Sequence, residues 1–236
     1  MKVFVTTCDA HLWTLRVFSY LFNKFWSASQ PVYVLGESLP PFKLPPNFIY
    51  RSAGVPWGKS RYSDAVIEFI QREINESHFA WLLDDYWLVR TVDHSGIKTM
   101  HEFMVENKKI LRVDLTSDRM FAGGAKDVGY YGHYDLVEAV GSQYQMSLQA
   151  GIWDTKLLLK VLQRGWSPWD VELSGTTVVN ESDMRVIGTK QQLVRYANGL
   201  KSDSNEVNIK GIPREHTKTI LEANWIPRKF EGKIKQ

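Results

Sequence analysis

This sequence predicts an α/β domain with a mostly parallel central sheet flanked by helices. Three observations carry that expectation. Short continuous apolar runs, such as residues 3–5 and 79–83, recur along the chain, as in strands buried on both faces. Between them, as in residues 12–26, apolar residues return every three or four positions, the spacing of a helix with one buried face. The first three of these stretches run strand, helix, strand, the unit from which parallel sheets are built.

Length and composition agree. The chain has 236 residues, 44% of them hydrophobic, enough for one large domain with a full core. The single cysteine, Cys8, excludes an internal disulfide and suits a reducing compartment. No secretory leader precedes Val3, and no run approaches the ~20 apolar residues of a membrane span, so a cytoplasmic protein is expected. The net charge of +3 is uneven: residues 181–236 hold 11 Lys and Arg against 7 Asp and Glu. A basic C-terminal part suits an anionic partner such as a nucleotide, a nucleic acid or a membrane surface; it equally suits an ordinary solvated face.

The elements follow in order. A first strand over residues 2–7 ends in the small polar loop Thr6-Thr7-Cys8-Asp9. Asp9 suits two roles, N-cap of the next helix or hydrogen-bonding group at the strand's carboxyl end. That helix places Leu12, Leu15, Phe18, Phe22 and Phe25 on one face, and a second strand follows at 31–35. The absence of Gly-x-Gly-x-x-Gly after the first strand argues against a nicotinamide or flavin Rossmann site. Four prolines within 39–46 mark a surface loop before a third strand at 48–50. Trp57-Gly-Lys59-Ser-Arg61 then precedes a helix carrying Ala65, Ile67, Phe69, Ile70 and Ile74. A helix N-terminus beside Lys and Arg is an anion site, so Lys59 and Arg61 are diphosphate candidates; the alternative is a pair of solvated charges.

The strand over 79–83 runs directly into Asp84-Asp85. In open α/β sheets ligands bind outside the carboxyl ends of strands. Two adjacent carboxylates repel each other unless a cation is near. A divalent metal, Mn²⁺ or Mg²⁺, carrying a diphosphate supplies one; the plain alternative is that the pair caps a turn. Residues 86–92 read as extended, 95–106 as a helix and 110–114 as a strand. Residues 117–144, rich in Gly and Tyr, read as a long loop or several short strands covering one side of a site. His133 has no partner at zinc-ligand spacing. A strand is expected at 144–148 and a helix at 155–163, closed by Gly165. Ser167-Pro168 opens a short helix carrying Trp169, Asp170 and Glu172. At i, i+2 spacing only one of those two carboxylates faces a site; surface charge and first-turn dipole contact are their plain roles. Strand candidates at 178–187 and 193–196, a turn at 198–199, a polar loop at 202–205 and a helix at 213–223 complete the chain.

The Asp84-Asp85 pair, the 57–61 stretch, Gln149…Trp153 and Pro168-Trp169-Asp-Val-Glu172 together resemble a bacterial and phage group of GT-A-fold glycosyltransferases. The resemblance runs from Lys2 to about Gly211. One departure stands out: position 86 is Tyr, so a full Asp-x-Asp is absent. The resemblance implies a single GT-A-like domain, with residues 1–114 as the nucleotide-sugar half, 115–211 as the acceptor half and 212–236 as a last helix and basic tail. It implies a nucleotide-diphosphate sugar such as a UDP-sugar as donor, at Thr6, Asp9, Trp57, Lys59, Arg61, Asp84 and Asp85. A metal would sit on Asp84 and Asp85, with His216 as a further ligand from the C-terminal region. Gln149, Trp153 and Trp169 would meet the acceptor, although core packing is the expected role of at least one Trp. A sugar hydroxyl is a poor nucleophile and needs a carboxylate base; the resemblance gives that role to Glu172, or failing it Asp170, with inversion at the sugar. The acceptor is expected to be a glycan. The alternative is a hydroxymethylated pyrimidine in DNA, with a phage protein acting in its host's cytoplasm. The incomplete acidic motif also permits a non-catalytic nucleotide- or sugar-binding module.

Overall fold

The structure is a computed structural model and describes every residue except Val55, Lys59, residues 202–205 and Gln236. The first half runs β1 (Lys2–Thr6), α1 (Thr14–Phe22), a π-helical turn over Asn23–Ser27, β2 (Val32–Gly36), β3 (Phe48–Ser52), α2 (Tyr62–Glu73), β4 (His78–Leu83), β5 (Tyr86–Leu88), α3 (His94–Glu106) and β6 (Ile110–Asp114). After a 3-10 turn at Asp118–Phe121 come β7 (Lys126–Tyr131), β8 (Tyr134–Glu138), β9 (Gly151–Asp154), α4 (Thr155–Val161), α5 (Pro168–Asn180) and β10 (Arg185–Thr189). Short pieces close the chain: β11 (Tyr196–Asn198), β12 (Leu200–Lys201), β13 (Glu206–Asn208), α6 (Arg214–Glu222) and β14 (Ile234–Lys235).

Nine strands form one sheet in the order β3-β2-β1-β4-β9-β6-β10-β8-β7. β1, β2, β3 and β4 pair in parallel, as do β6 and β10. β9 runs against both its neighbours, and β8 runs against β10 and β7. All strands but β8 and β9 therefore point one way, the mostly parallel α/β sheet that the sequence predicts. The pleat sorts the core onto two faces. Val3, Val5, Ala80 and Leu82 join the cluster under α1 and α3, while Phe4, Phe79 and Trp81 join the one under α2, α4 and α5. Phe4 stacks on Phe69 at 4.8 Å. Among the described residues no helix is long and apolar enough to cross a membrane.

Three local expectations are corrected. Residues 144–148 form turns, and the strand lies later, at β9. Its first residue must be glycine: a Cβ at Gly151 would lie 2.7 Å from Nε of the fully buried Arg112. Of the two readings of 117–144, short strands hold for the β7–β8 hairpin, whose register shifts between Asp127 and Gly129. The helix opened by Ser167 is not short; it runs 13 residues to Asn180 and takes in part of the expected 178–187 strand. Its β-branched end suggested a strand, but burial of Val171, Gly175 and Val179 along one face overrides that weak preference. Trp153 is core, not an acceptor platform. It is 0% exposed, 5.7 Å from the Trp81 ring and under the Arg112 guanidinium at 4.9 Å. The 202–205 loop expectation falls outside the described residues.

Trp153→Ala should therefore cost about 3–5 kcal/mol of stability, the usual worth of a buried aromatic. Trp169, 61% exposed, should cost less than about 1 kcal/mol on the same change. Denaturant unfolding of the two variants measures both; equal losses would contradict the burial assignment.

Candidate active site

β1 and β4 lie side by side with Thr6 opposite Leu83, so the polar loop after β1 meets the Asp84-Asp85 turn after β4. Asp84 is buried. Thr7 Oγ1 donates to its Oδ2 at 2.7 Å, and Thr14 Oγ1, from the start of α1, donates to the same oxygen. Burial still holds the carboxyl above the usual range, partly offset by those two hydroxyls. Asp85 is half-buried, and its carbonyl accepts the Gly199 N–H at 2.7 Å. Burial raises its carboxyl, the adjacent Asp84 charge raises it further, and no basic side chain among the described residues offsets either. Where Asp-x-Asp would place a further acid, Tyr86 stacks on Tyr196 at 4.1 Å.

The other donor-side candidates lie at the end of β1, on the loops after β1 and β3, and at the start of α2. Thr6 Oγ1 lies 3.3 Å from the Tyr62 hydroxyl, and Trp57 is buried edge-on to the Tyr62 ring. Arg61 is exposed at the N-terminal end of α2, beside a small hollow of about 120 Å³ that it lines with Trp57, Asp64 and Arg72. Lys59 lies outside the described residues. Asp9 does not cap α1, which begins only at Thr14; its carboxylate accepts from Ser38 N at 3.0 Å and Ser38 Oγ at 2.6 Å. The sequence reading missed Glu37. This buried carboxylate accepts the Asp9 N–H at 2.8 Å and the Trp57 N–H at 2.9 Å, joining three loops at one edge of the sheet. The available signal was its place, one residue past the second strand.

The second group of carboxylates comes from α5 and the end of β6. Ser167 and Asp170 form a capping box: Asp170 Oδ2 accepts from Ser167 N at 2.9 Å, and Ser167 Oγ accepts from Asp170 N at 3.1 Å. Those bonds hold Asp170 below the usual carboxylate range. Glu172 turns to the other side, where Leu148 N donates to its Oε1 at 2.7 Å. There it lines a cleft of about 380 Å³ with Tyr86, Asp114, Asp118, Arg119 and Gln149. Burial raises Glu172, against the opposing pull of the Leu148 N–H and the Arg112 charge.

Tyr86 follows Asp85 in the chain and lines the cleft with Glu172, so it stands between the two carboxylate groups. Tyr86 is raised by burial, then by the charges of Asp85 and Glu172. Tyr62 is raised by burial, with Glu172 and Asp84 adding to it and the Thr6 bond opposing it. The sequence reading also missed the buried group behind the cleft. Asp114 pairs with both Arg112 and Arg119, and Arg112 Nη2 donates to the Gln149 carbonyl at 3.0 Å. Charged residues inside the apolar run 110–115 were the legible sign.

His216 is not brought to the acidic turn. Its Nδ1 lies 2.9 Å from the Tyr20 hydroxyl, and its ring packs edge-on to Phe25. Among the described residues no group of three or more His, Cys, Asp or Glu could hold a metal ion. Asp85, with Asp84 behind it, instead fits a cation completed by substrate phosphates, the usual manner of Mg²⁺. Cys8 offers no nucleophile: burial pushes its thiol up to about 11.

The raised Asp85 pKa makes stability pH-dependent. The native state holds its proton more tightly than the unfolded chain, so stability falls as pH rises from the ordinary carboxylate range through the raised value. Asp85→Asn should melt above wild type near about pH 8 and level with it near about pH 3.5, where both are neutral. Thermal unfolding across pH checks this; a constant difference would contradict it.

No known sequence family matches the chain, and no curated protein matches it. By structure it is similar to residues 1–349 of S. aureus TarS, with a TM-score of 0.50 and 14% identity over 84% of this chain and 60% of that one. The chain thus spans less than two thirds of that structure. A UDP-glucose pyrophosphorylase complexed with UDP-glucose gives a TM-score of 0.47 at 9% identity, covering 94% of this chain and 98% of that one. CMP:2-keto-3-deoxy-manno-octonic acid synthetase complexed with CTP gives 0.46 at 9%, covering 95% and 99%. Identities this low report fold alone. The likeness shows an α/β fold with a mixed, largely parallel central sheet flanked by helices.

Proposed function

We propose that this protein transfers a sugar from a nucleoside-diphosphate sugar to a hydroxyl of a glycan, inverting the anomeric carbon. The observation that carries this reading is the meeting of two carboxylate groups at Tyr86, which follows the acidic turn after β4 directly and lines the same cleft as Glu172. The turn suits the donor diphosphate, and Arg61 at the N-terminal end of α2 suits its negative charge. A divalent cation, when bound at Asp85, would neutralise charge on the leaving diphosphate. Glu172 removes the proton of the acceptor hydroxyl. Its oxygen forms a bond to the anomeric carbon, and the carbon–oxygen bond to the diphosphate breaks with its electron pair. The raised pKa of Glu172 suits a base, since a carboxylate tuned upward takes a proton more readily. The engagement of Asp170 in the helix cap supports Glu172 over Asp170 in that role.

Glu172→Gln keeps an oxygen for the Leu148 N–H and removes the base. Transfer should slow by roughly 10²–10⁴-fold with donor affinity unchanged. Asp170→Asn should keep its transfer rate and melt slightly below wild type, because the capping box is weakened. Steady-state transfer assays with donor titrations read both; a Glu172→Gln enzyme at the wild-type rate would contradict the assignment.

Donor recognition has its own test. A nucleotide sugar at ~100 times its dissociation constant should add ~2.7 kcal/mol to stability. In a thermal-shift panel with and without Mn²⁺, Asp85→Asn should lose the Mn²⁺-dependent part of that gain. Slow donor hydrolysis without acceptor would separate an enzyme from a binding module. Acceptor binding that weakens steeply with salt would point instead to DNA.

A further inference from the structure

Of the cleft carboxylates that the transfer step does not use, Asp114 is paired with Arg112 and Arg119, and Asp118 is the exposed one. We propose that Asp118 selects the acceptor, taking a hydrogen bond from a second hydroxyl of a neutral sugar ring and turning away rings that carry a phosphate. This rests on reading the cleft as the acceptor site.

The walls of the cleft are rich in hydrogen-bond acceptors and poor in available cations. Asp114, Asp118 and Glu172 all line it. Its lining guanidinium, Arg119, is engaged elsewhere: Nε donates to Asp114 Oδ2 at 2.7 Å and Nη1 to Gln145 Oε1 at 2.8 Å. Arg112 lies buried behind, paired with the same Asp114. Three carboxylates against two guanidiniums leave the region negative, although the whole chain is positive. A phosphate here would face Asp118 and Glu172 with no uncommitted arginine, and like charges brought together in a partly dry cleft repel.

Hydroxyl groups meet the opposite situation. Asp114 is 4% exposed and both its oxygens face guanidiniums, Oδ1 at 2.5 Å from Arg112 Nη1 and Oδ2 accepting from Arg119 Nε. Asp118 is exposed at the start of the 3-10 turn, its backbone N–H directed to Thr116 Oγ1 at 3.3 Å; the Gln149 side chain hydrogen-bonds its carboxyl, which keeps further lone pairs for a ligand. Ionised carboxylates only accept, so the ligand that suits these walls is one with several donors. Phe121 and Tyr144, 79% and 52% exposed, line the same cleft and offer apolar faces to the C–H side of a ring. Walls of acceptors with aromatic flanks describe a polyhydroxylated, uncharged ring, one of whose hydroxyls faces Glu172.

The test uses saturation-transfer NMR on the full chain without donor. The probes are methyl glycosides of neutral hexoses and their phosphate monoesters. Wild type should bind a neutral glycoside at least about tenfold more tightly than its phosphate ester, the scale of one hydrogen bond to a charged group. Asp118→Asn should weaken the neutral glycoside by about tenfold and narrow the discrimination, and Asp118→Lys should reverse it. In transfer assays Asp118→Asn should raise KM for the neutral acceptor and leave kcat within about twofold, as for a group that binds without reacting. Thermal melts confirm that the variants fold. Tighter binding of the phosphate ester to wild type, no saturable binding of any neutral glycoside, or unchanged affinities in Asp118→Asn would overturn the proposal. Because binding is read without donor, a failure of sugar transfer would overturn the functional reading and leave this result intact.

Discussion

A buried carboxylate between two hydroxyls organises the donor edge of this fold. Asp84 leaves β4 and points inward, and Thr7 and Thr14 donate to one of its oxygens from the end of β1 and the start of α1. An unpaired buried charge is costly, whereas a hydrogen bond to a charged group returns about 1.5–3 kcal/mol. The chain between Thr7 and Thr14 is therefore held at both ends against the strand that carries the acidic turn. Asp85, one residue on, cannot share those partners and is left with an uncompensated charge. Perturbed carboxylates of that kind gather where ligands bind. Glu37 repeats the device with backbone donors from Asp9 and Trp57.

The cleft beside Glu172 depends on a second buried group. Arg112 lies wholly inside, stacked on Trp153 and paired with Asp114, and it forces glycine at position 151. Its donation to the Gln149 carbonyl fixes the segment before β9, from which Leu148 reaches Glu172. The capping box of α5 sets the turn of that helix, so that Asp170 closes its end and Glu172 faces the cleft. Charge on Arg112 opposes the desolvation of Glu172. The buried ion pairs thus act on the position and protonation of one carboxylate more than on gross stability, in keeping with the weak net worth of such pairs.

Much of this was legible because buried strands and one-faced helices write their periodicity into the chain. Residues 79–83 and 110–114 read as strands and are strands, and the 213–223 helix is α6. Failures came where tertiary contacts decide. The strand expected at 144–148 lies instead at 151–154, where Gly151 makes room for Arg112. Trp153 and Trp169 are identical as letters, yet one is sealed under the sheet and the other is exposed. His216 had no local motif, and its partners Tyr20 and Phe25 lie about 190 residues earlier. Glu37, Arg112 and Asp114 were passed over because a lone charge has no period; only its burial reveals its role.

A fold alone does not fix a reaction, so the site must decide the chemistry. Phosphorus NMR of the products, with a UDP-sugar and a neutral glycoside supplied, is the most direct measurement. Attack at the anomeric carbon, with Glu172 as base, predicts release of the nucleoside diphosphate in step with formation of the new glycoside. Formation of pyrophosphate from a nucleoside triphosphate and a sugar phosphate, with no glycoside produced, would contradict the account.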